Sequence, residues 1–518
     1  MAFRFRLRTP HSAQVEATVA HLVEDRFASR LFDGDASLWG PEAQSEASIR
    51  LCWVDLATAS RPLVDTIVAL RDELRSKGID RVVLCGMGGS SLAPEVICTR
   101  AGVPLEVLDS SQPDMVRSAV RDLESTVVVV SSKSGGTVET DSQRRVFEQA
   151  FRDAGLDPAE HMIVVTDPGS PLHEEARAEG LRVFLAEPHV GGRYSALTAF
   201  GLVPSGLAGA DVAALLEEAA AATALECDDV ENAGLRLGAV LGVAAREGVD
   251  KVVIHDRQDR GIGDWIEQLV AESTGKDGTG ILPVVAHRAD EPVTPDEVVV
   301  HEGTDDLPDH PWGVAMRGSL GGQFLLWEVA TAVVGRILGI NPFDQPDVES
   351  AKAAARELLD GGTALPEPDA VRGPVEMFGS TAATVREAVG ELLAQVGDRH
   401  YLAVQCYLDR WAHAGLETLA PVLAARLGRP VTFGWGPRFL HSTGQYHKGG
   451  PPTGVFLQVT CEPHEDLAIP GRDFTLGEFV LSQAVGDGQV LRDHGRPVLR
   501  LHLRDVAAGL DVLRESLR

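Results

Sequence analysis

The sequence predicts an α/β protein with two doubly wound parallel-sheet domains, each built as a three-layer αβα sandwich. The first observation is that short apolar runs alternate with helix-compatible segments of about 10 to 15 residues, which is the pattern of βαβ units. The second is that 518 residues exceed what one hydrophobic core usually serves, so two or three domains are expected. The third is a composition of 44% hydrophobic and 24% charged residues, which is typical of a globular protein.

The amino-terminal half is predicted to contain a lead-in and the first domain. Residues 1–60 are expected to be a mixed, partly helical lead-in with a Gly/Pro break, and residues 61–205 the first sheet domain. This domain opens with the helix-compatible stretch LVDTIVALRDELRSKG. Its strands are predicted in five apolar runs: RVVLCG, PLEVLDS, TVVVVSS, HMIVVTD and RVFLA. Because helix-compatible segments separate these runs, the strands should be parallel.

The second half of the chain repeats this alternation after an alanine- and leucine-rich helical connection over residues 206–248. Residues 249–518 are assigned to a second sheet domain. Its first strands are predicted in KVVIHD, ILPVVA and EVVVHEG, and the apolar helix GGQFLLWEVATAVVGRILG follows. Beyond a Pro/Gly-rich break, four further strands are predicted in HYLAVQCYL, PVTFGW, GVFLQVT and PVLRLHL. We assign these four to the second sheet, and a separate third domain is the alternative.

Charge and cysteine content restrict the possible partners and the compartment. A net charge of -29 disfavours nucleic acid and anionic membranes as partners. No apolar run approaches the roughly 18 to 20 residues of a membrane span, and the basic amino terminus lacks the apolar stretch of a secretory signal. The six cysteines are scattered without a Cys-x-x-Cys pair, which favours reduced thiols in the cytoplasm over disulfides or zinc. No metal is expected, since no metal-binding motif is present.

One strand of the first domain ends in a tract of hydroxyls and glycines, SSKSGGTVET. Ligands bind outside the carboxyl ends of the strands in open parallel sheets. Ser132, Ser134 and Thr137 offer hydroxyl donors, Lys133 adds charge or backbone support, and the following helix adds free N–H groups. The stretch therefore predicts a phosphate site. The alternative is a hydroxyl-capped helix start, for which one hydroxyl would suffice.

The preceding strand ends in a second glycine- and serine-rich turn, GMGGSS. It resembles a dinucleotide fingerprint, but Ser91 occupies the place of the third glycine, so a nicotinamide site has weak support. A tight turn without a ligand is the alternative for this stretch alone. Taken together, Gly89 and Ser90 of this turn and the hydroxyls of the next predict one site for a phosphorylated sugar.

These two turns and three later stretches resemble the sugar isomerase (SIS) fold, and more particularly the glucose-6-phosphate isomerase family. The resemblance covers about residues 80–355 and is to the long bacterial type, with a divergent carboxyl-terminal region. Its five ordered motifs are GMGGSSLAPEV, SSKSGGTVET, GGRYSALTAFGL, WIEQLVAESTGK and INPFDQPDVESAK. Five motifs in order make the resemblance specific.

The resemblance implies roles for five residues that would otherwise look like surface side chains. Arg193 is expected to stabilise negative charge on an enediol(ate), and Glu272 to be the base that moves a proton between C2 and C1. Gln268 and Gln345 correspond to phosphate contacts, and Lys352 to an active-site lysine near the ring oxygen. Three of the six lysines (Lys133, Lys276 and Lys352) lie in these motifs, and Lys448 lies in the carboxyl-terminal stretch GWGPRFLHSTGQYHKGG. This placement predicts a local positive patch.

The sequence departs from the family at the histidine used to open the sugar ring. The family places it between the glutamate motif and the Asp-Gln motif, where this chain has RGSLGGQFLLWEVA, with Ser319 or Gln323 about where it should be. His310 lies nearby. The carboxyl-terminal stretch GWGPRFLHSTGQYHKGG offers histidines in a glycine-rich loop. We therefore expect His441, or as second choice His447, to open the ring, and the alternative is a pair of ordinary loop histidines.

The resemblance implies an isomerase that interconverts glucose 6-phosphate and fructose 6-phosphate through a cis-enediol, in glycolysis and gluconeogenesis. No cofactor is expected, because the carbonyl already acidifies the neighbouring C–H bond. Family members are commonly homodimers, so a homodimer is implied as well. Two alternatives stay open: a sugar-phosphate sensor without turnover, and an isomerase that also accepts mannose 6-phosphate.

Overall fold

The computed structural model describes residues 3–256, 261–286, 291, 293–359 and 365–517, without the side chains of residues 349, 351 and 352. The strands of this part of the chain are β1 (Phe3–Arg8), β2 (Arg81–Gly86), β3 (Glu106–Leu108), β4 (Thr126–Ser131), β5 (Met162–Thr166), β6 (Arg182–Leu185), β7 (Lys251–Asp256), β8 (Leu282–Val285), β9 (Glu297–Glu302), β10 (Gly313–Gly318), β11 (Ala370–Arg372), β12 (Val375–Phe378), β13 (Tyr401–Tyr407), β14 (Val431–Trp435), β15 (Gly454–Cys461) and β16 (Val498–Leu503).

The helices alternate with these strands along most of the chain. They are α1 (Ser12–Glu24), α2 (Phe27–Phe32), α3 (Pro41–Ala47), α4 (Leu56–Ala59), α5 (Arg61–Ser76), α6 (Leu92–Ala101), α7 (Pro113–Ala119), α8 (Val138–Asp153), α9 (Pro158–His161), α10 (Pro171–Ala178), α11 (Ala199–Ala208), α12 (Val212–Ala220), α13 (Ala233–Arg246), α14 (Ile262–Thr274), α15 (Leu320–Leu338), α16 (Val348–Leu359), α17 (Val385–Leu393), α18 (Leu419–Leu427), α19 (Gly444–Gly449), α20 (Leu476–Asp493) and α21 (Val506–Ser516).

The first sheet has the order β3-β2-β4-β5-β6, and all of its neighbouring strands are parallel. Alternate residues of its strands enter two different cores, as expected for strands buried on both faces. Val127 and Val129 pack in the core that contains α5, α6 and α11, while Val128 and Val130 pack in the core of α7, α8 and α10. The predicted doubly wound domain is therefore confirmed, and its strands lie where the apolar runs predicted them.

The second sheet has the order β1-β10-β9-β7-β8. Strands β10, β9, β7 and β8 are parallel, whereas β1 pairs antiparallel with β10. The strand β1 was not among the predicted elements, because residues 1–60 were expected to be a separate lead-in. The stretch FRFRLR alternates apolar and basic residues, and its burial alternates in step, which is the signature of a strand with one buried face.

The carboxyl-terminal strands form a third sheet with the order β11-β12-β16-β15-β13-β14. The assignment of HYLAVQCYL, PVTFGW, GVFLQVT and PVLRLHL to the second sheet is therefore wrong, although each of these stretches is a strand. One face of the sheet has its own core with α17, α18 and α21. We propose that residues 370–517 are the third domain that the sequence left as the alternative.

The third sheet packs against the second sheet through a shared apolar cluster. Val253 and Val284 of the second sheet meet Tyr401 and Phe456 of the third in this cluster, which also contains Ala271 of α14 and Tyr446 of α19. Because α19 packs on α14, the loop after β14 reaches the carboxyl ends of the first sheet. No described helix combines the length and the apolar character that a bilayer crossing requires.

Candidate functional site

The two polar turns of the first domain lie side by side because their strands are neighbours. Strands β2 and β4 pair in parallel with Gly86 opposite Ser131, so both chains leave the sheet at the same edge. In the turn after β4, which we call the hydroxyl loop (Ser132–Thr137), the Ser132 hydroxyl accepts a hydrogen bond from the Gly135 N–H at 3.2 Å. The Ser134 hydroxyl accepts one from the Gly136 N–H at 3.2 Å. A hydroxyl that accepts a bond can still donate its own proton, which suits an anion.

The start of α8 does not support simple helix capping as the reason for these hydroxyls. Thr137 occupies the N-cap position but makes no side-chain capping bond. Its hydroxyl instead accepts a long hydrogen bond of 3.4 Å from Ser132. The first N–H groups of a 16-residue helix therefore face the hydroxyl loop without a side-chain cap, and the positive end of the helix dipole lies there too.

The glycine turn after β2 packs closely against the backbone of His441 and of Gly192. Gly88 has a φ of +56°, and a Cβ there would lie 2.7 Å from the His441 carbonyl oxygen. A Cβ on Gly89 would lie 1.9 Å from the carbonyl oxygen of Gly192, the residue before Arg193. Only glycine allows the backbones to approach this closely.

Replacing Gly89 by alanine should displace the loop that carries Arg193. We expect kcat/KM to fall about 100-fold, because a 1 Å misplacement of catalytic groups costs on that order. Gly390→Ala is the matched control, because a Cβ there meets nothing within 4 Å. Steady-state kinetics of both variants check the prediction, and equal activity of Gly89→Ala and the control would contradict it.

Glu272 lies in the last turn of α14 and contacts three of the predicted site residues directly or through one neighbour. Gln268, one turn earlier, donates from Nε2 to Glu272 Oε2 at 3.1 Å and to the His441 carbonyl oxygen at 2.8 Å. The Arg193 guanidinium lies 3.5 Å from the other Glu272 oxygen. The structure therefore brings together Glu272, Gln268, Arg193 and His441, although His441 comes from the third domain.

His441 in turn contacts the helix that follows the hydroxyl loop. It lies at the end of a 3-10 turn (Arg438–His441) after β14, and its Nε2 is 2.8 Å from Oε1 of Glu139 in the first turn of α8. Gln483 donates to the same oxygen at 2.7 Å. Burial would raise the pKa of Glu139, but the charge and hydrogen bond of His441 hold that pKa below its ordinary value.

Glu139 is the residue of the site that sequence reasoning missed. It stands within the quoted motif SSKSGGTVET, but no role was assigned to it. A glutamate in the first turn of a helix is commonly explained by a favourable interaction with the helix dipole. Its partner His441 lies 302 residues away in the sequence, so the contact becomes visible only in the fold.

Arg193 is buried and forms a rigid junction between two loops. Its Nε donates to the Ser273 hydroxyl at 2.7 Å, and an Nη donates to Gln345 Oε1 at 2.9 Å. The other Nη donates to the carbonyl oxygens of Pro342 and Asp344 at 2.8 and 3.1 Å. The structure therefore places Gln345 next to Arg193.

The three predicted patch lysines whose side chains the structure describes do not form a free positive patch. The ammonium groups of Lys133, Lys276 and Lys448 lie 2.7, 2.6 and 2.5 Å from carboxylates of Asp167, Asp344 and Asp487. Burial lowers the pKa of Lys276 to about 8, and the Arg193 charge adds to the effect. Hydroxyls, N–H groups and the helix dipole therefore contribute to any attraction for an anion. The Lys352 side chain lies outside the described residues.

The remaining histidine candidates lie elsewhere. His447 is buried, its Nδ1 is 2.8 Å from the Tyr401 hydroxyl, and its ring packs against Phe456. Burial lowers the pKa of His447 well below its ordinary value, with help from the charges of Lys448 and Arg496. The Nδ1 of His310 lies at hydrogen-bond distance, 3.2 Å, from the Trp312 carbonyl oxygen.

Two polar residues in the region where the family has its histidine also lie apart from this constellation. Gln323 donates to Glu302 at the end of β9, and Ser319 is the N-cap of α15. Neither takes the place of the histidine in the described contacts.

A cavity of about 290 Å³ opens beside the hydroxyl loop. The predicted residues Ser134, Thr137 and His441 line it, together with Glu139. Val348 and Arg356 of α16 and Phe479 of α20 close its other side. Glu272 is not among the lining residues, but Gln268 connects it to His441. Gly89, Ser90, Ser132 and Lys133 lie in the two turns that flank this region.

The chain was compared with known protein families and sequences. The profile of the family described as phosphoglucose isomerase matches residues 68–282. A probable glucose-6-phosphate isomerase of Natronomonas pharaonis is 31% identical over 341 residues, which span 55% of this chain and 80% of the relative. The glucose-6-phosphate isomerase of Rubrobacter xylanophilus is 29% identical over 377 residues, spanning 57% of this chain and 85% of the relative.

Two solved structures are similar to this one. A hypothetical protein from Thermus thermophilus has a TM-score of 0.58 and 26% identity, covering 68% of this chain and 99% of that one. A glucose-6-phosphate isomerase from Chlamydia trachomatis has a TM-score of 0.56 and 20% identity, covering 70% and 90%. At this identity the second likeness concerns the fold alone.

Proposed function

The chain belongs to the glucose-6-phosphate isomerase family and is an isomerase of glucose 6-phosphate and fructose 6-phosphate, and we propose that the constellation around His441 and Glu272 performs this reaction. One observation supports the assignment of these residues to the active site. A continuous series of contacts leads from the hydroxyl loop through Glu139, His441 and Gln268 to Glu272 and Arg193. These contacts connect the proposed phosphate site in the hydroxyl loop to the carboxylate of Glu272.

The hydroxyl loop and the glycine turn are proposed to hold the sugar phosphate. Ser132, Ser134 and Thr137 donate from their hydroxyls, and the N–H groups at the start of α8 complete the site. Gly89 and Ser90 close it from the neighbouring strand, with Lys133 supporting the loop through Asp167 and Pro188. Gln268 and Gln345, expected as phosphate contacts, are assigned to positioning as well, since they bond Glu272 and Arg193.

His441 is proposed to open the sugar ring. A proton leaves the C1 hydroxyl of the closed sugar while another is delivered to the ring oxygen, which breaks the bond between C1 and that oxygen. An imidazole suits this transfer because it gains and loses protons near neutral pH. Glu139 holds the imidazole of His441 in place through its contact with Nε2. Lys352 is assigned to the ring oxygen on family grounds alone, and His447 to the core of the third domain.

Glu272 is proposed to move the proton once the chain is open. Its carboxylate removes the proton from C2 of the aldose, electrons shift to the carbonyl oxygen, and a cis-enediol forms. The hydroxyl proton on O2 then moves to O1, and return of the first proton to C1 gives the ketose, whose carbonyl is at C2. Arg193 stabilises the negative charge that develops on the oxygen during both transfers, which such preorganised donors do best in a buried site.

The activity is tested by a coupled assay of glucose 6-phosphate formed from fructose 6-phosphate, run with and without a chelator. We expect turnover in both conditions. The same assay with mannose 6-phosphate tests whether the enzyme also accepts this sugar phosphate as a substrate. Binding of fructose 6-phosphate without any turnover would contradict the function and favour the sensor alternative.

Anomerisation separates ring opening from proton transfer, because interconversion of α- and β-glucose 6-phosphate requires only an open ring. We expect His441→Ala to lower both anomerisation and isomerisation by about 100-fold or more. NMR exchange spectroscopy measures the rate of anomerisation, and the coupled assay measures the rate of isomerisation.

His447→Ala is the comparison. It should lower the melting temperature, because it removes a buried ring and leaves the Tyr401 hydroxyl without its hydrogen-bond partner. Its effect on turnover per folded molecule should be smaller than that of His441→Ala. Unchanged anomerisation in His441→Ala would contradict the assignment.

We also propose a homodimer in the cytoplasm. The dimer follows from the family alone, and sedimentation velocity tests it by the mass of the particle. The cytoplasmic location is supported by cysteines that are all unpaired. A monomeric mass at working concentration would contradict the dimer.

A further inference from the structure

A second cluster of reactive side chains lies on the first domain, apart from the isomerase constellation. Cys52, Glu187 and His189 each offer one ligand atom, and these atoms all lie within 4.8 Å of one another. Cys52 starts a 3-10 turn (Cys52–Asp55) in the amino-terminal segment, whereas the other two follow β6. We call this cluster the surface triad. None of its members contacts the residues assigned to proton transfer in the part of the chain that the structure describes.

We propose that the surface triad binds one divalent transition-metal ion, with Zn²⁺ as the best fit. Thiolate, imidazole and carboxylate are the three ligand types that zinc takes in proteins. Tetrahedral zinc with bonds of about 2.0 to 2.3 Å places neighbouring ligand atoms about 3.5 Å apart. The ligand atoms of the triad lie within 4.8 Å of one another, which is close to that spacing. The thiolate favours a zinc-like ion over Mg²⁺ or Ca²⁺, which prefer oxygen ligands.

Hydrogen bonds already hold two of the three ligands in place. The Nδ1 of His189 lies 2.9 Å from Oε1 of Glu187, and the His189 backbone N–H donates to the same oxygen at 3.1 Å. A bridge between Leu51 and Val190 joins the segment of Cys52 to that of His189. The carboxylate and the imidazole therefore lie side by side, and an ion bound through Oε1 and Nδ1 would replace the proton between them. Cys52 and His189 are exposed, so an ion has direct access.

The triad lies on the segment that leads into the isomerase site. Pro188, between two of the ligands, accepts a hydrogen bond from Lys133 of the hydroxyl loop at 3.0 Å. The same segment continues into Gly192 and Arg193. The ion is not required by the proposed proton transfers, so the surface triad is a structural or regulatory site rather than part of the reaction.

Titration calorimetry with Zn²⁺ on the intact, substrate-free chain tests the proposal. We expect one tightly bound ion per chain, and a loss of affinity of at least about tenfold in both Cys52→Ser and His189→Ala. Cys227→Ser, which removes the other exposed cysteine, should bind like the unaltered chain. Circular dichroism melting confirms that each variant is folded, and since the side chains are on the surface we expect both to fold.

Co²⁺ gives a second readout, because a thiolate ligand produces a charge-transfer band in the near ultraviolet. The band should be present in the unaltered chain and in Cys227→Ser, and absent in Cys52→Ser. Zinc binding that Cys52→Ser leaves unchanged, or a cobalt complex without the thiolate band, would overturn the proposal. Neither result bears on isomerase activity, so this test is separate from that of the proposed function.

Discussion

Glu272→Gln should lower kcat by about 100- to 10,000-fold, the usual contribution of a positioned general base. The amide has the same shape as the carboxylate and can still accept the hydrogen bond from Gln268, but it cannot take a proton from carbon. Binding of fructose 6-phosphate should be nearly unchanged, because the phosphate contacts lie in the hydroxyl loop. Anomerisation, which we assign to His441, should also persist. Coupled assays, calorimetry and NMR exchange measure the three quantities.

Glu267→Gln is the matched control on the same helix. Burial and the charge of Asp264 raise the pKa of Glu267 to about 8, so this side chain is mostly protonated at neutral pH. Exchange for an amide therefore changes its charge little, and activity should stay near that of the unaltered chain. An equal loss of binding and turnover in Glu272→Gln would show that Glu272 is not the base.

Arg193→Lys should lower kcat/KM by about 100- to 1,000-fold, the usual cost of removing a preorganised charge donor. The guanidinium bonds Ser273, Gln345 and two carbonyl oxygens of the loop over residues 342–344 at once. An ammonium has three donors on a flexible stem and cannot reproduce this planar arrangement. The positive charge remains, so the variant tests geometry as well as charge.

Arg182→Lys is the control for this exchange. Arg182 forms a two-pronged pair with Glu73 on the surface, with side-chain exposures of 44 and 37%, and such pairs contribute little. We expect no change in kinetics there. Melting curves of both variants distinguish lost stability from lost catalysis. Full activity of folded Arg193→Lys would contradict the role of Arg193.

Much of the first domain was predictable because its signals are local. The strand β2 coincides with the apolar run RVVLCG, and in the second sheet β7 coincides with KVVIHD. The four valines of β4 predicted a strand buried on both faces, and that strand has cores on both sides. Glycine and hydroxyl residues at the strand ends then predicted the anion site.

Sheet membership was not predictable in the same way. The run VFLQV predicts β15, but it does not say which strand pairs with it, because pairing depends on contacts between distant segments. The chain places β15 between β13 and β16 in a third sheet. The strand β1 was missed for a related reason, since its partner β10 lies about 300 residues away.

In the candidate site too, contacts within one helix were predictable from the sequence, whereas contacts between distant segments were not. Gln268 and Glu272 are one helical turn apart, so their contact follows from the sequence once α14 is assigned. His441 was the first choice among the histidines from its glycine-rich surroundings, but its contact with Glu139 required the docking of the third sheet on the second. The prediction of a positive patch failed for Lys133, Lys276 and Lys448, because the sequence does not show which carboxylates pair with them. In the fold their partners are Asp167, Asp344 and Asp487.

The crystal structure of Glu272→Gln with bound fructose 6-phosphate tests the central assignment most directly. We expect the phosphate to contact the hydroxyl loop and the start of α8, with C1 and C2 about 3 to 3.5 Å from the side chain at position 272, the separation of groups ready to react. A phosphate bound away from Ser132–Thr137, or C1 and C2 beyond reach of position 272, would contradict it.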